Sequence, residues 1–425
     1  MRETKIKKVE SSRLGEHYYD IKHKSGLRVF VCPKSFSTCF AVFGTRFGAV
    51  DRQFEDEDGK VMELPSGTAH FLEHKMFENA DGTNSDTRFA ALGADDNAYT
   101  TYRTTRYIFS TVKNEYECVA ELVRMVQNPY FTGKTVKKEQ GIIISEIAMG
   151  NDNPSYCGME NMLRGLYQNS FLTDQICGTE SSVLSITDKI LYKAHRAYYS
   201  LSNMALSVVG NVTPEGIIAV LDRELENIED RKPAKTLTPD EPDEIYLEYI
   251  EKRMNVSRPM FFLGFKDTKK LDDPLRKCGM SVLLSMLFSN SGEFYNRLLS
   301  ENLISPSFSF GYTASENYAY TMISGESDVP EKVAELIEKK LQDTLDEGLS
   351  PSDFERCRRV FTAGYIRAFD SSEEIADDII MDAWYADIEP FSLPKTLDEL
   401  TLDYLTGLLS ELCNKKHTLS VIKPI

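Results

Sequence analysis

No stretch of the 425-residue chain approaches the 18 or so consecutive apolar residues that a membrane-spanning helix needs, so no span is expected. Basic residues are in deficit: 49 Lys and Arg face 66 Asp and Glu, a net charge of −17. That balance argues against a nucleic-acid partner and against an anionic membrane surface. The eight cysteines (32, 39, 118, 157, 177, 278, 357 and 413) include no C-x-x-C pair and no framework spacing. They are expected to be reduced, mostly packed residues of a cytoplasmic protein. Met1 to Arg13 is charged and has no apolar core, so no signal peptide is expected. No G-x-x-x-x-G-K-[ST] phosphate loop and no G-x-S-x-G nucleophile elbow occurs. Nucleotide hydrolysis by a P-loop and serine-hydrolase chemistry are therefore not indicated. Trp384, the single tryptophan, lies in an apolar helix-like run and is expected in a core.

Histidine is also scarce, with six in the chain, yet two of them stand four apart in His70-Phe71-Leu72-Glu73-His74. On a helix, positions 70 and 74 stack on one face with 73 beside them. Two imidazoles so placed suit a divalent metal, and the carboxylate suits taking a proton from a metal-bound water. The pattern is H-x-x-E-H. His17, His23, His195 and His417 have no partner at ligand spacing and are expected to be surface or packed residues. An open zinc site needs a third protein ligand. Thr135 to Ile147 is predicted to form a helix that puts Glu139 and Glu146 two turns apart on one face. Ile142 and Ile143 lie between them, so this face is expected to be buried. Carboxylates there are costly unless a cation receives them.

With those residues in hand, the chain resembles the M16 (pitrilysin, insulinase, mitochondrial-processing-peptidase) family. His70 to Phe77, Asn128 to Pro154 and Ser202 to Val212 are most similar to its YmfH-like bacterial branch. The family pattern is H-x-x-E-H, then a glutamate ligand some seventy to eighty residues on, with another glutamate seven residues before it. Here Glu146 follows His74 by 72 residues and Glu139 precedes Glu146 by seven. The resemblance implies one Zn²⁺ per chain on His70, His74 and Glu146, Glu73 as general base, and Glu139 orienting a ligand. Two imidazoles and one carboxylate also suit non-haem iron, but Glu73 has an evident role only in hydrolysis. The Asn97-Ala98-Tyr99-Thr100 stretch matches a family segment that opens an edge strand, where an extended peptide substrate pairs by main-chain hydrogen bonds.

The implied fold is α+β: two homologous α/β units, each an antiparallel-rich sheet packed by helices, in a LuxS/MPP-like metallohydrolase architecture. Residues 1–228 would form the zinc-bearing domain, 229–245 a Pro-rich and charged linker, and 246–425 a similar domain without metal. Strand-like runs (27–31, 40–43, 107–112 and 205–209, then 260–265, 308–312 and 319–324) recur on both sides of the linker. Val119-Ala120-Glu121-Leu122-Val123 answers Val333-Ala334-Glu335-Leu336-Ile337. In that register Glu139 falls opposite Cys357 and Glu146 opposite Gly364.

One departure stands out. Catalytic two-domain members carry an Arg and a Tyr in the second half that hold substrate and oxyanion. Leu298 and Ser305 occupy those places here, with Arg297 and Tyr312 near but out of register. The expectation is a zinc-dependent endopeptidase cutting short or unfolded peptides in a clamshell chamber. It would be the zinc-bearing subunit of a homo- or heterodimer with an M16-like chain that supplies the Arg/Tyr pair. The alternative is a non-catalytic, zinc-containing assembly or maturation subunit.

Overall fold

The computed structural model describes residues 3–56, 58–268 and 273–425, and every count below refers to these. The chain divides into two compact units that are not contiguous halves. The first comprises Met1–Ile147, Asp174–Thr238 and Ile366–Phe391; the second comprises Ala148–Thr173, Pro239–Tyr365 and Ser392–Ile425. Each sequence half thus lends a helical segment to the other half's unit.

The strands of the first unit are β1 (Lys5–Ser11), β2 (Glu16–Lys22), β3 (Arg28–Pro33), β4 (Cys39–Thr45), β5 (Gln53–Glu55), β6 (Val61–Glu63), β7 (Ala94–Thr100), β8 (Thr105–Thr111), β9 (Met204–Gly210) and β10 (Lys235–Leu237). Seven of them make a sheet in the order β1-β2-β3-β9-β4-β8-β7, which leaves β7 at one edge. Pairing is parallel at β3/β9 and antiparallel elsewhere. In the second unit β11 (Tyr249–Met254), β12 (Met260–Asp267), β13 (Ser309–Ser315), β14 (Tyr318–Glu326) and β15 (His417–Pro424) run β11-β15-β12-β14-β13. The parallel pair there is β11/β15. Order and orientation repeat strand for strand from β3 onward, so the two units are copies of one plan; β1 and β2 extend the first.

The residues explain why both sheet faces need cover. Every residue of β4 is buried, as a central strand with two packed faces requires. Cys39, Ala41 and Phe43 join one core beneath helix α3 (Glu115–Gln127). Phe40, Val42 and Gly44 point the other way. There the segment Ser372–Tyr385, π-helical over Ile375–Met381, packs on β4 and β9. A Cβ on Gly44 would lie 2.6 Å from Met381 Cε. The second unit repeats the device: the Pro154–Leu166 helix packs on β12 and β15, and a Cβ on Gly264 would lie 2.7 Å from Met162 Cγ. Trp384 is buried on this covering segment, under the Arg46 guanidinium at 4.7 Å from its ring.

One local expectation changes, and one segment that carried no structural expectation proves to be a strand. The stretch read as linker contains β10, which pairs antiparallel with β5, so part of it is held in a small sheet. The charged N-terminal residues form β1, which β2 pairs along its whole length.

Candidate metal centre

Helix α1 (Thr68–Lys75) carries the two histidines. Thr68, Ala69, Phe71, Leu72, Glu73 and Lys75 are all buried, which leaves His70 and His74 as the helix's one partly open stripe. The helix begins at Gly67, whose φ of 86° lies in the left-handed region that suits glycine. A side chain there would also meet the Cys177 carbonyl, so the backbone approach fixes where α1 starts.

Helix α4 (Gly133–Asn151) supplies the carboxylates. Val136, Ile143 and Ile147 form its buried stripe, with Glu139 and Glu146 half-buried beside it. Ile142, expected on the buried face, is instead 42% exposed. The seven-residue spacing of the glutamates follows the partly buried flank, one step round the helix from that expectation.

His70, His74 and Glu146 converge, and they are the one His/Cys/Asp/Glu group with metal-ligand spacing among the described residues. His70 Nε2 and His74 Nε2 lie 3.3 Å apart, and Glu146 Oε2 lies 3.7 and 3.6 Å from them. A tetrahedral zinc with bonds of about 2.0–2.1 Å sets its ligand atoms about 3.3–3.4 Å apart. An octahedral face of iron would set them nearer, at about 3 Å. The His70–His74 edge matches zinc, and the two Glu146 edges are about 0.2–0.4 Å longer, so the three donors fit zinc after a small inward movement of Glu146. His74 Nδ1 is 3.0 Å from Glu139 Oε1, so Nδ1–H donates to that carboxylate and the Nε2 lone pair faces the other two donors.

Burial and charge act on each group differently. Burial, helped by neighbouring His74, pushes His70 down to about 3, so its imidazole stays neutral and able to bind a metal. Burial would also lower His74, but the hydrogen bond to Glu139 and the nearby charges of Glu146 and Glu73 outweigh it, and the net shift is upward. Glu139 moves down: burial opposes, and the His74 contact wins. Glu73, 7% exposed, is raised mainly by burial and held in part by Thr100, whose Oγ1 donates to Oε2 at 2.6 Å. Three carboxylates around two imidazoles form a cation-seeking site.

Asn97, Ala98 and Tyr99 lie on β7, which pairs only with β8 and leaves its other side free of strand partners. Asn97 is exposed, and its Oδ1 accepts from the Ala98 backbone N–H at 2.9 Å. The Tyr99 hydroxyl donates to Asp377, on the covering segment. Alternation along β7 thus separates Tyr99 from Thr100, which reaches Glu73.

Two neighbours of the site escaped the sequence reading. Thr100 ends the Asn97–Thr100 stretch and donates to Glu73, and Cys177 Sγ lies 3.9 Å from His70 Nε2. Neither has a spacing signal, since each meets the site only through the fold. The other histidines are packed or paired away from it. His23 meets Asp222 at 3.0 Å, His195 meets the Val126 carbonyl at 3.1 Å, and His417 meets Glu338 at 2.6 Å.

In the second unit, Leu298 is fully buried in the core. Ser305 Oγ is 2.6 Å from Ser307 Oγ. The Arg297 guanidinium lies 5.5 Å from the Phe294 ring centre, and the Tyr312 hydroxyl donates to Asp267 at 2.9 Å. Cys357 is buried and Gly364 faces open space, so the positions that answer Glu139 and Glu146 carry no carboxylate.

Comparison with known proteins identifies the family and the fold. Residues 59–180 match the model for insulinase (peptidase family M16), and residues 185–361 match that for the peptidase M16 inactive domain. The uncharacterized zinc protease YmfH of Bacillus subtilis (strain 168) is 33% identical over 414 residues, 96% of each chain. A crystal structure of a putative M16-like peptidase from Alicyclobacillus acidocaldarius superposes with a TM-score of 0.90 at 29% identity, covering 100% of this chain and 99% of that one. A protease from Helicobacter pylori shares the fold, with a TM-score of 0.83 at 16% identity over 99% and 100% of the two chains. With its two family domains in order and a full-length relative at that identity, the chain belongs to the M16 family of peptidases.

Proposed function

We propose that this chain is the zinc-bearing subunit of an M16-type endopeptidase. The observation that carries the reading is the donor triangle of His70, His74 and Glu146, sized for tetrahedral zinc, with a buried carboxylate on the residue next to a ligand. His70, His74 and Glu146 would hold the ion, and Glu139 would fix the His74 tautomer. When bound, zinc supplies Lewis acidity toward the attacking water and the scissile carbonyl.

The rest falls to side chains. Glu73, raised by burial, takes the water's proton as it attacks and then hands that proton to the leaving amine. Thr100 holds one Glu73 oxygen, so the other is the one presented for proton transfer. The peptide lies extended along the open edge of β7, where main-chain pairing gives affinity with little demand on sequence. Since the Tyr99 hydroxyl is committed to Asp377, Tyr99 would contribute backbone, and Asn97 its exposed side chain.

The Arg/Tyr pair would come from an M16-like partner, because Leu298 lies in the core and Ser305 is a short hydroxyl. A missing oxyanion donor costs about a hundredfold or more in rate. The enclosed chamber implied by family membership would select short or unfolded peptides. None of the eight cysteines is in a disulfide, which supports a reducing, cytoplasmic setting. No helix of the described residues is long and apolar enough to cross a membrane. The test is cleavage of a quenched fluorescent peptide library by the chain alone and with a metal-free homologue. Activity in the pair that Glu73→Gln abolishes supports the reading. Bound zinc with no cleavage in any combination would favour a non-catalytic maturation subunit instead.

A further inference from the structure

Thr100 and Thr105 oppose each other across β7 and β8, their hydroxyls 3.4 Å apart, and Thr100 donates to Glu73. One residue along each strand, Tyr99 opposes Arg106 on the other face. Arg106 is 6% exposed, and its guanidinium donates to Asp377 and, at 2.6 Å, to Asp382. The Tyr99 hydroxyl donates to the second Asp377 oxygen and lies 3.4 Å from Arg106 Nη1. Both aspartates belong to the covering segment, Asp377 within its π-helical stretch, a local geometry that recurs at functional sites.

A buried guanidinium ringed by carboxylates is a poor way to gain stability, since apolar filling of that volume does as well. What it adds is direction. Hydrogen bonds at both carboxylate oxygens fix Tyr99 and Arg106 along the strands, which dispersion contacts do not. Neighbouring Cα atoms sit about 3.8 Å apart, so whatever moves Tyr99 moves Thr100.

We propose that Arg106, Asp377 and Tyr99 form a positioning clamp that sets Thr100, and through it Glu73, from the sheet face opposite the metal centre. The proposal rests on the peptidase reading above for its catalytic consequence. A displacement of about 1 Å in a reacting group can cost a hundredfold in rate.

The experiment compares Asp377→Asn, Thr100→Val and their double variant by kcat, KM and zinc content, on the active form of the protein. The expected result is a kcat about tenfold lower for Asp377→Asn, with KM within twofold and zinc unchanged. In the Thr100→Val background, Asp377→Asn should cost less than twofold, because the path to Glu73 is already cut. A kcat within twofold of wild type for Asp377→Asn, or effects that simply multiply in the double variant, would overturn the clamp. Asp382→Asn, at the exposed end of the network, replaces Asp377→Asn if that variant fails to fold. If the wild-type protein cuts no peptide, the peptidase reading fails separately. The clamp is then judged by deuterium uptake over residues 94–100, where faster exchange in Asp377→Asn supports it and unchanged exchange overturns it.

Discussion

At the scale of single residues, the proposed function divides the site into groups that would hold a cation and one that would move a proton. Glu73→Gln keeps the size and the Thr100 contact but cannot accept a proton. It should retain zinc while losing about 10²–10⁴-fold in kcat, read by metal analysis and peptide turnover on the same sample. Glu139→Ala should fold, and its zinc affinity should fall about 10–100-fold in competition with a chromophoric chelator, because His74 loses the acceptor for its Nδ1–H. The histidines and both glutamates were legible in the sequence because their spacings are set by one helix each. Thr100 and Cys177 were not, since they approach through the sheet and a loop. Ile142 shows the limit of face assignment on a helix: one residue is a 100° turn, enough to move a side chain from core to solvent.

At the scale of elements, α1 depends on a backbone that only glycine fits. Gly67→Ala would place a Cβ against the Cys177 carbonyl at a positive φ. It should cost at least about 1–2 kcal/mol and weaken zinc binding as α1 shifts, measured by urea melts and zinc titration. The Asp188–Tyr198 helix, which packs against α1, carries His195, buried and held neutral with its pKa lowered to about 4. The unfolded chain protonates this group near 6.5, so between those values the unfolded state binds more protons and stability falls as pH drops. The loss attributable to His195 is roughly 3 kcal/mol by pH 4. Paired melts at pH 7 and 4.5 should show a shallower acid loss in His195→Gln than in wild type. Most elements were readable from their hydrophobic texture, and the runs at 40–43, 107–112, 205–209 and 260–265 fall within or overlap β4, β8, β9 and β12. β1 and β10 were not, because a charged edge strand and a three-residue edge strand carry no apolar alternation.

At the scale of the whole molecule, the two units repeat one strand order, and the repeat is stronger in topology than in sequence. The match of 119–123 with 333–337 holds: both segments follow the edge-adjacent strand, on α3 and on the Pro330–Glu347 helix. Hidden from sequence was the exchange by which Ser372–Tyr385 covers the first sheet and Pro154–Leu166 the second, since a covering helix carries no mark of which sheet it serves. With Cys357 and Gly364 at the positions that answer Glu139 and Glu146, the described residues hold one His/His/Glu group, and Leu298 and Ser305 stand where the Arg and Tyr of the proposed pairing are expected. A metal-free homologue carrying that pair should therefore raise cleavage by about a hundredfold or more over this chain alone, measured as peptide turnover on mixing. The most direct test of the central claim joins metal and turnover in one preparation. Zinc per chain is measured by mass spectrometry alongside cleavage of a quenched peptide library, with the homologue present, for wild type and Glu73→Gln. One zinc in both proteins and cleavage in wild type alone is the predicted result; a zinc-free wild-type chain, or a Glu73→Gln variant that cuts as fast, would contradict it.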